Sequence, residues 1–511
     1  MFRETHKIRE VKNSMSNQSD ISVETGNDSV KSGHPRGLYT LFMTEMWERF
    51  SFYGMRALLV LFMTDAVVRG GQGLTDGVAT AIYGLYTASV YLAALPGGWV
   101  ADRFLGAQRS VWYGGILIAI GQFTLALAPS NMFYLGLVLV VLGTGLLKPN
   151  VSGIVGELYP EGGARRDAGF TIFYMGINLG AAIGPLIASY LGEKINWRYG
   201  FGVAGIGMVL GLLQYRFTSK YLGECGKHPG HRGGALQKDW LILGGFLATI
   251  IGVVALTWTG IIHIDPLALA KKTAYFIVAV AVLYFVCAFL FFGLDKTEKE
   301  RLAVIAVLFL SSAMFWSGFE QAGSSLNLFA QNFTQRVFFG CEIPTGWFQS
   351  LNPVFIITLA PLVAMFWVSL ARKGRDMTLT NKFALGLGLL AAGFFVMVMA
   401  SKLVGGGQKV LPTWLLTTYL MHSVAELCLS PVGLSSVTKL APRRMAGQMM
   451  GIWFLATSLG NLLAGLFAGE VIQDASQMPG RYLQIVLMAL GVAGLLFVFS
   501  KPIKKLTKDV N

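Results

Sequence analysis

Glu45-Met-Trp-Glu-Arg-Phe-Ser-Phe-Tyr53 sets Glu45, Glu48 and Arg49 inside a run that is otherwise apolar from about Leu38 to Met63. Such a run is long enough to cross a bilayer, which takes roughly 20 apolar residues. A charge at mid-membrane costs on the order of 2.5–3.5 kcal/mol on insertion scales. Three within one turn persist only if they face the protein interior and find partners there. At about 100° per residue, Glu45, Arg49, Tyr53 and Arg56 fall within about 80° of one another, with Glu48 beside them. One stripe of this helix is therefore acidic, basic and aromatic, and the rest is greasy. The pattern predicts a membrane span and marks where function resides.

Composition points the same way. Of 511 residues, 54% are hydrophobic and 13% charged, where a soluble domain carries about 25% charged; the mean hydropathy is +0.57. The chain reads as an all-α, polytopic membrane protein, and its 62 glycines suit helices packed closely in lipid. The net charge of +14 invites a nucleic-acid reading. Lys and Arg lie in alternate loops, however, where they orient the chain in the bilayer, so no nucleic-acid partner is expected. Cys225, Cys287, Cys341 and Cys428 form no C-x-x-C pair and the histidines no H-x-x-x-H pair, so no metal site is expected.

Apolar runs predict fourteen helices over roughly 38–67, 78–101, 110–128, 131–158, 168–191, 199–218, 240–262, 273–293, 301–332, 348–371, 380–402, 412–439, 445–470 and 481–500. Basic residues collect in every second loop: Arg103 and Arg109, Arg165 and Arg166, the Lys220–Lys238 segment, Lys296–Arg301, Arg372–Arg375, and Lys439–Arg444. The opposite loops are poorer in them, which places both termini on the cytoplasmic side of the cell (inner) membrane. The expected organisation is a disordered polar tail over 1–36, a six-helix bundle over 37–218, a linker with an inserted transmembrane hairpin over 219–300, a second six-helix bundle over 301–500, and a basic tail over 501–511.

Gly98-Trp-Val-Ala-Asp102-Arg103-Phe-Leu-Gly106-Ala-Gln-Arg109, between the second and third spans, resembles the G-x-x-x-D-R-x-x-G-x-x-R signature of the major facilitator superfamily. The glycine allows a tight reversal, Asp102 can sit at a neighbouring helix N-terminus, and the two arginines stay in the aqueous phase. Glu45–Tyr53 resembles the E-x-x-E-R-F-x-Y-Y motif of the proton-dependent oligopeptide transporter family, prokaryotic type. Gly143–Val151, Phe173-Tyr-Met-Gly-Ile-Asn178-Leu-Gly180 and Ala425–Leu434 resemble three further segments of that family, in order. The resemblance runs from Leu38 to about Pro502. Phe52 departs from the motif where its first Tyr stands, and Ala181 replaces the usual Ser after Gly180.

The resemblance implies a major facilitator fold, two six-helix bundles plus an inserted hairpin. It implies proton-coupled symport of di- and tripeptides by alternating access, without a cofactor, driven by a proton gradient across the lipid bilayer. Arg49 and Lys148 are then expected to take the peptide carboxylate, and Glu426 its ammonium group. Lys148 ends an apolar stretch that resumes to Val155, so it is interior, and Glu45 or Glu48 is its expected partner. Proton coupling is assigned to Glu45, Glu48, Arg49, Lys148 and Glu320. Glu320, a lone acid in an apolar helix, is expected to meet Arg56 across the halves as an outer gate. Asn178 and Asn352 suit the peptide backbone, Ser430 lies in the late motif, and Tyr53, Tyr91, Trp316 and Trp453 are candidate linings of side-chain pockets. His422 precedes Glu426 by one turn, so a buried Glu–His pair is the competing reading of that acid. A carrier of nitrate or a drug is the alternative within transporters, although a pure anion carrier has no use for Glu426. A membrane-embedded enzyme is not expected, because no H-E-x-x-H, G-x-S-x-G or paired Cys/His set occurs.

Overall fold

A computed structural model describes residues 33–127, 132–230, 236–375, 377–405, 407–472 and 476–507. The polar tail expected at the start falls, all but its end, outside these residues. From Arg36 onward the chain forms one compact unit. Six long helices come first: α1 (Arg36–Thr64), α2 (Asp76–Val100), α3 (Ala107–Leu127), α4 (Phe133–Glu157), α5 (Gly163–Lys194) and α6 (Trp197–Thr218). A pair follows, α7 (Gln237–Trp258) and α8 (Pro266–Phe291). Then come α9 (Lys296–Phe319), short α10 (Ser325–Phe333), α11 (Leu351–Arg372), α12 (Leu379–Gly405), α13 (Thr413–Leu440), α14 (Ala446–Ile472), α15 (Met478–Val498) and α16 (Ser500–Thr507). A two-residue hairpin ladder, β1 (Val337–Phe338) with β2 (Cys341–Glu342), stands between α10 and α11.

Among the described residues, thirteen helical stretches are long and apolar enough to cross a membrane. Helix α1, at 29 residues, completes the expected fourteen by length, and its charged stripe is what sets it below the others in apolar content. Helix starts follow local chemistry. Asp295 Oδ1 accepts from the Glu298 N–H at 2.7 Å while Glu298 Oε2 accepts from the Asp295 N–H at 3.1 Å, a reciprocal cap that starts α9. Asp265 caps α8 ahead of Pro266, whose fixed φ suits a first helical turn.

The structure departs from the sequence pattern at three places. The span over 301–332 is not one helix: it breaks at a 3-10 turn, Glu320–Gly323, before α10. Gly318, Gly323, Ser324 and Ser325 are weak helix formers, and Asn327 Nδ2 pins the far piece by donating to the Ala57 carbonyl of α1 at 2.9 Å. In the motif loop the reversal occurs at Gly106 (φ +77°) after a π-helical turn over Ala101–Leu105, while Gly98 stays inside α2. Asp102 lies beside Gly230 of the linker, and Arg103 pairs with Asp239 in the first turn of α7 at 3.4 Å. The basic tail also begins as helix α16, which buries Ile503 and Thr507.

Helix α1 packs along α5 and α6, α3 against α4 and α6, and α2 against α4. In the second group α12 packs on α13 and α15, and α9 on α14. The groups meet along α2 and α14, where Ser458 Oγ donates to the Ala88 carbonyl at 3.0 Å, and along α5 and α11. Helix α8 lays Ala270, Ala274, Ile277 and Ala281 over the α2–α14 seam. Small residues allow that close approach in lipid, where van der Waals contact drives association.

Candidate functional site

The charged stripe of α1 is sealed inside the protein. Glu45, Glu48 and Arg49 are 3%, 1% and 4% exposed, so each charge needs a partner. Arg49 supplies it to both acids: its Nε lies 3.2 Å from Glu45 Oε1 and hydrogen-bonds Glu48 Oε2. The i,i+4 spacing of Glu45 and Arg49 makes that contact local to the helix. Glu45 Oε2, Glu48 Oε1 and Arg49 Nη2 are buried with no hydrogen-bond partner among the described residues. One cation between two acids leaves the trio one charge short of neutral. Phe52, the departure from the motif, presents its ring to the Arg49 guanidinium at 5.1 Å and stacks on Tyr86 at 6.2 Å.

Lys148 departs from expectation. No carboxylate lies within ion-pair distance of it among the described residues, and its Nζ sits over the Tyr91 ring, 4.1 Å from the centroid. Glu45 and Glu48 are already turned to Arg49 on their own helix, whereas Lys148 approaches from α4. The aromatic face of Tyr91 stabilises its charge in their place. Lys148 still lies within electrostatic range of Arg49, Glu45, Glu48 and Glu320.

The 3-10 turn brings Glu320 to Arg56. Arg56 Nη2 is 2.6 Å from Glu320 Oε2, a charge contact whose angles fall short of a hydrogen bond. Arg56 Nε donates to the Tyr83 hydroxyl at 2.6 Å, and its guanidinium lies over the Tyr53 ring at 5.5 Å. The pair joins α1 to the end of α9, one partner from each helix group, and both residues are buried.

In the second group, Asn352 Nδ2 donates to Glu426 Oε2 at 3.1 Å and to Ser423 Oγ at 3.0 Å. The Glu–His alternative does not form: His422 Nε2 lies 3.3 Å from the Leu390 carbonyl, and its ring packs on Phe394. The Asn352 amide is thus committed to the acid. Asn178 Nδ2 is likewise committed to the Tyr174 carbonyl of its own helix at 3.0 Å, which leaves its oxygen. Trp453 is buried beside Gly433, part of the packing.

Burial sorts the candidates. The ion-paired residues Glu45, Glu48, Arg49, Arg56 and Glu320 are sealed, while Tyr53, Tyr91, Lys148, Trp316, Asn352, Glu426 and Ser430 are half-buried. A Lys and a Glu with accessible surface at membrane depth face a polar interior rather than lipid. Tyr53 ties the two ends of that interior together, within electrostatic range of Arg49, Arg56, Glu320 and Glu426.

The POT family model matches residues 108–482. The chain belongs to the POT family. A peptide transporter of Yersinia enterocolitica is 45% identical over 505 residues, covering 96% of this chain and 98% of that protein. A di-/tripeptide transporter of Lactococcus lactis subsp. cremoris is 38% identical, over 94% of this chain and 98% of its own. The crystal structure of peptide transporter POT in complex with sulfate superposes with a TM-score of 0.87 at 39% identity, covering 93% of this chain and 96% of that one. A POT family transporter in complex with 5-aminolevulinic acid gives a TM-score of 0.84 at 33% identity, covering 93% and 98%. This POT protein is therefore a multi-pass membrane transporter of the major facilitator fold, two six-helix bundles with an inserted hairpin, and not an enzyme.

Three contributors to the POT site escaped the sequence reading. Tyr83, which holds Arg56, stands eight residues before Tyr91 near the same face of α2, so the tyrosine spacing was a usable signal. Ser423, which shares Asn352 with Glu426, carries no such signal. Glu193, near the end of α5, lies in none of the motifs, yet both of its carboxylate oxygens are engaged across the helix groups.

Proposed function

We propose that this protein is a proton-coupled symporter of di- and tripeptides, working by alternating access in the cell (inner) membrane with both termini cytoplasmic. The observation that carries the reading is a half-buried Lys148 and a half-buried Glu426 in one interior, from opposite helix groups, each without an ion-pair partner among the described residues. A zwitterion with its charges at the two ends completes both. In this reading Arg49 and Lys148 hold the peptide carboxylate, Arg49 through its planar fork, and Glu426, braced by Asn352, holds the ammonium group. Asn178, Ser430, Tyr53, Tyr91 and Trp316 line the path of the chain between them, with Trp453 behind.

Coupling follows from the crowding at Arg49. A peptide carboxylate that draws on Arg49 competes with Glu45 and Glu48, and a dry carboxylate losing its cation takes up a proton. The linkage is reciprocal, so protonation in turn favours peptide binding. Contacts between α5 and the 342–350 segment hold the face away from the termini shut, and in this reading the Arg56–Glu320 pair is part of the same outer gate. The test is uptake of alanyl-alanine into proteoliposomes with and without an inward proton gradient. Gradient-driven accumulation is expected; equal uptake in both arms removes the coupling. A nitrate or drug carrier gains nothing from Glu426, which disfavours that alternative.

Glu426→Gln keeps the shape and the Asn352 contact but loses the charge. Peptides with a free amino terminus are expected to bind roughly 10- to 100-fold more weakly, the scale of one hydrogen bond to a charged group. Peptides acetylated at that end bind the wild type poorly and should lose little more. Equal losses for free and acetylated peptides, measured by competition for uptake, would take Glu426 out of the ammonium site.

A further inference from the structure

The outer half of α5 is stitched to the 342–350 segment at intervals of three or four residues. Ser350 Oγ donates to the Ala182 carbonyl at 2.7 Å, and Trp347 Nε1 to the Leu186 carbonyl at 2.8 Å. Gly346 passes so close that an added methyl would lie 1.9 Å from Ser189 Oγ. One turn further, Glu193 Oε2 accepts from the Thr345 N–H at 2.6 Å and Oε1 from the Gly346 N–H at 2.8 Å. Ala182, Leu186, Ser189 and Glu193 share one face of the helix. At the rim Lys194 pairs with Glu342, which Arg336 also holds at 3.0 Å. The Lys194 hydrogen bond, with Arg336 and Lys409 nearby, keeps the Glu342 carboxyl below its ordinary range.

These stitches differ in strength. Ser350 and Trp347 bond neutral carbonyls. The Lys194–Glu342 pair is partly exposed, and pairs of that kind contribute little. Glu193 alone accepts two backbone N–H bonds, one on each oxygen of a half-buried carboxylate, and such bonds to a carboxylate are about twice as strong as neutral ones. The two N–H groups belong to the start of the stretch that runs on into α11, so the contact holds one helix group directly to the other.

We propose that Glu193 is the latch of the outer seam: its carboxylate holds α5 to Thr345 and Gly346, and the face away from the termini opens only when those two bonds are released. The proposal rests on the alternating-access reading, but its readout needs neither peptide nor protons. Spin labels go on native Cys341, which is exposed, and on Ile195→Cys at the end of α5, with Cys225, Cys287 and Cys428 replaced. The starting protein should show one short-distance population. Glu193→Gln retains a single oxygen acceptor, so one of the two N–H groups loses its partner. A second, longer population should appear, raising the open-to-closed ratio about tenfold, the scale of one lost bond to a charged group. Gly346→Ala prises the same seam sterically and should lengthen the distance too, which establishes that the labels report opening. An unchanged distribution in Glu193→Gln overturns the latch even if peptide transport is demonstrated. A widened one sustains it even if the substrate proves to be something other than a peptide.

Discussion

Glu320→Gln opens the face away from the chain termini. In the closed arrangement Arg56 is buried with its guanidinium 2.6 Å from Glu320 and its Nε on the Tyr83 hydroxyl. Removing the acid leaves a buried cation with a phenol and two ring faces. Breaking one side of such a pair costs about 3–5 kcal/mol, against at most about 1 kcal/mol for an exposed one. Since the pair joins the two helix groups only while this face is shut, that cost falls on the closed state. The closed-to-open ratio should drop by roughly 100-fold or more. Distances between spin labels at Val67 and Val337, both exposed beyond the outer ends of α1 and α10, read the change. Proton-driven uptake should weaken, while peptide exchange without a gradient persists. The charge swap Arg56→Glu with Glu320→Arg should restore part of the closing, less than fully because the shorter carboxylate then stands where the long guanidinium reached both its partner and the Tyr83 hydroxyl. A distribution unchanged at neutral pH would mean that the pair is not a gate.

Lys148→Ala abolishes gradient-driven uptake while the protein still reaches the membrane. Its ammonium is not engaged by any carboxylate among the described residues, so the contact the fold loses is that with the Tyr91 ring, an interaction of about 0.5–2 kcal/mol. The peptide carboxylate loses one of its two cations. Truncating one partner of a buried charge pair costs about 2–5 kcal/mol, so affinity should fall on the order of 100-fold. Glu45, Glu48 and Arg49 are then left without the second cation that acts on Glu45, which alters proton uptake at the same site. Driven uptake near wild type, with normal amounts of protein in the membrane, would refute the role.

Much of this was legible in order along the chain. Periodicity and apolar length yielded most of the span boundaries to within a few residues, α8 excepted, which begins at Pro266 and not near 273; lipid leaves the backbone only helices or a closed barrel at that depth. The Glu45–Arg49 contact was legible too, since residues four apart on a helix meet whatever surrounds them. The meeting of Arg56 with Glu320 could be anticipated from the direction in which each helix crosses the membrane. Its close geometry depends on the 3-10 turn at Glu320–Gly323, which the apolar pattern concealed by running straight through it.

Other features had no local cause. Whether Glu48 turns to Arg49 or to Lys148 depends on how α4 is rotated against α1, and no residue on either helix specifies that rotation alone. The same holds for Asn352, whose amide is taken by Glu426 and Ser423, and for His422, aimed at the Leu390 carbonyl and away from the acid one turn on. Glu193 is the extreme case: its two partners lie 152 and 153 residues away along the chain. The sequence by itself determined a membrane transporter of this family, its helices, and the charges that must be hidden from lipid, because burial of charge and backbone in hydrocarbon admits few solutions. Only the tertiary structure decided which hidden charge meets which, because a pairing between helices is set by the packing of every helix around them.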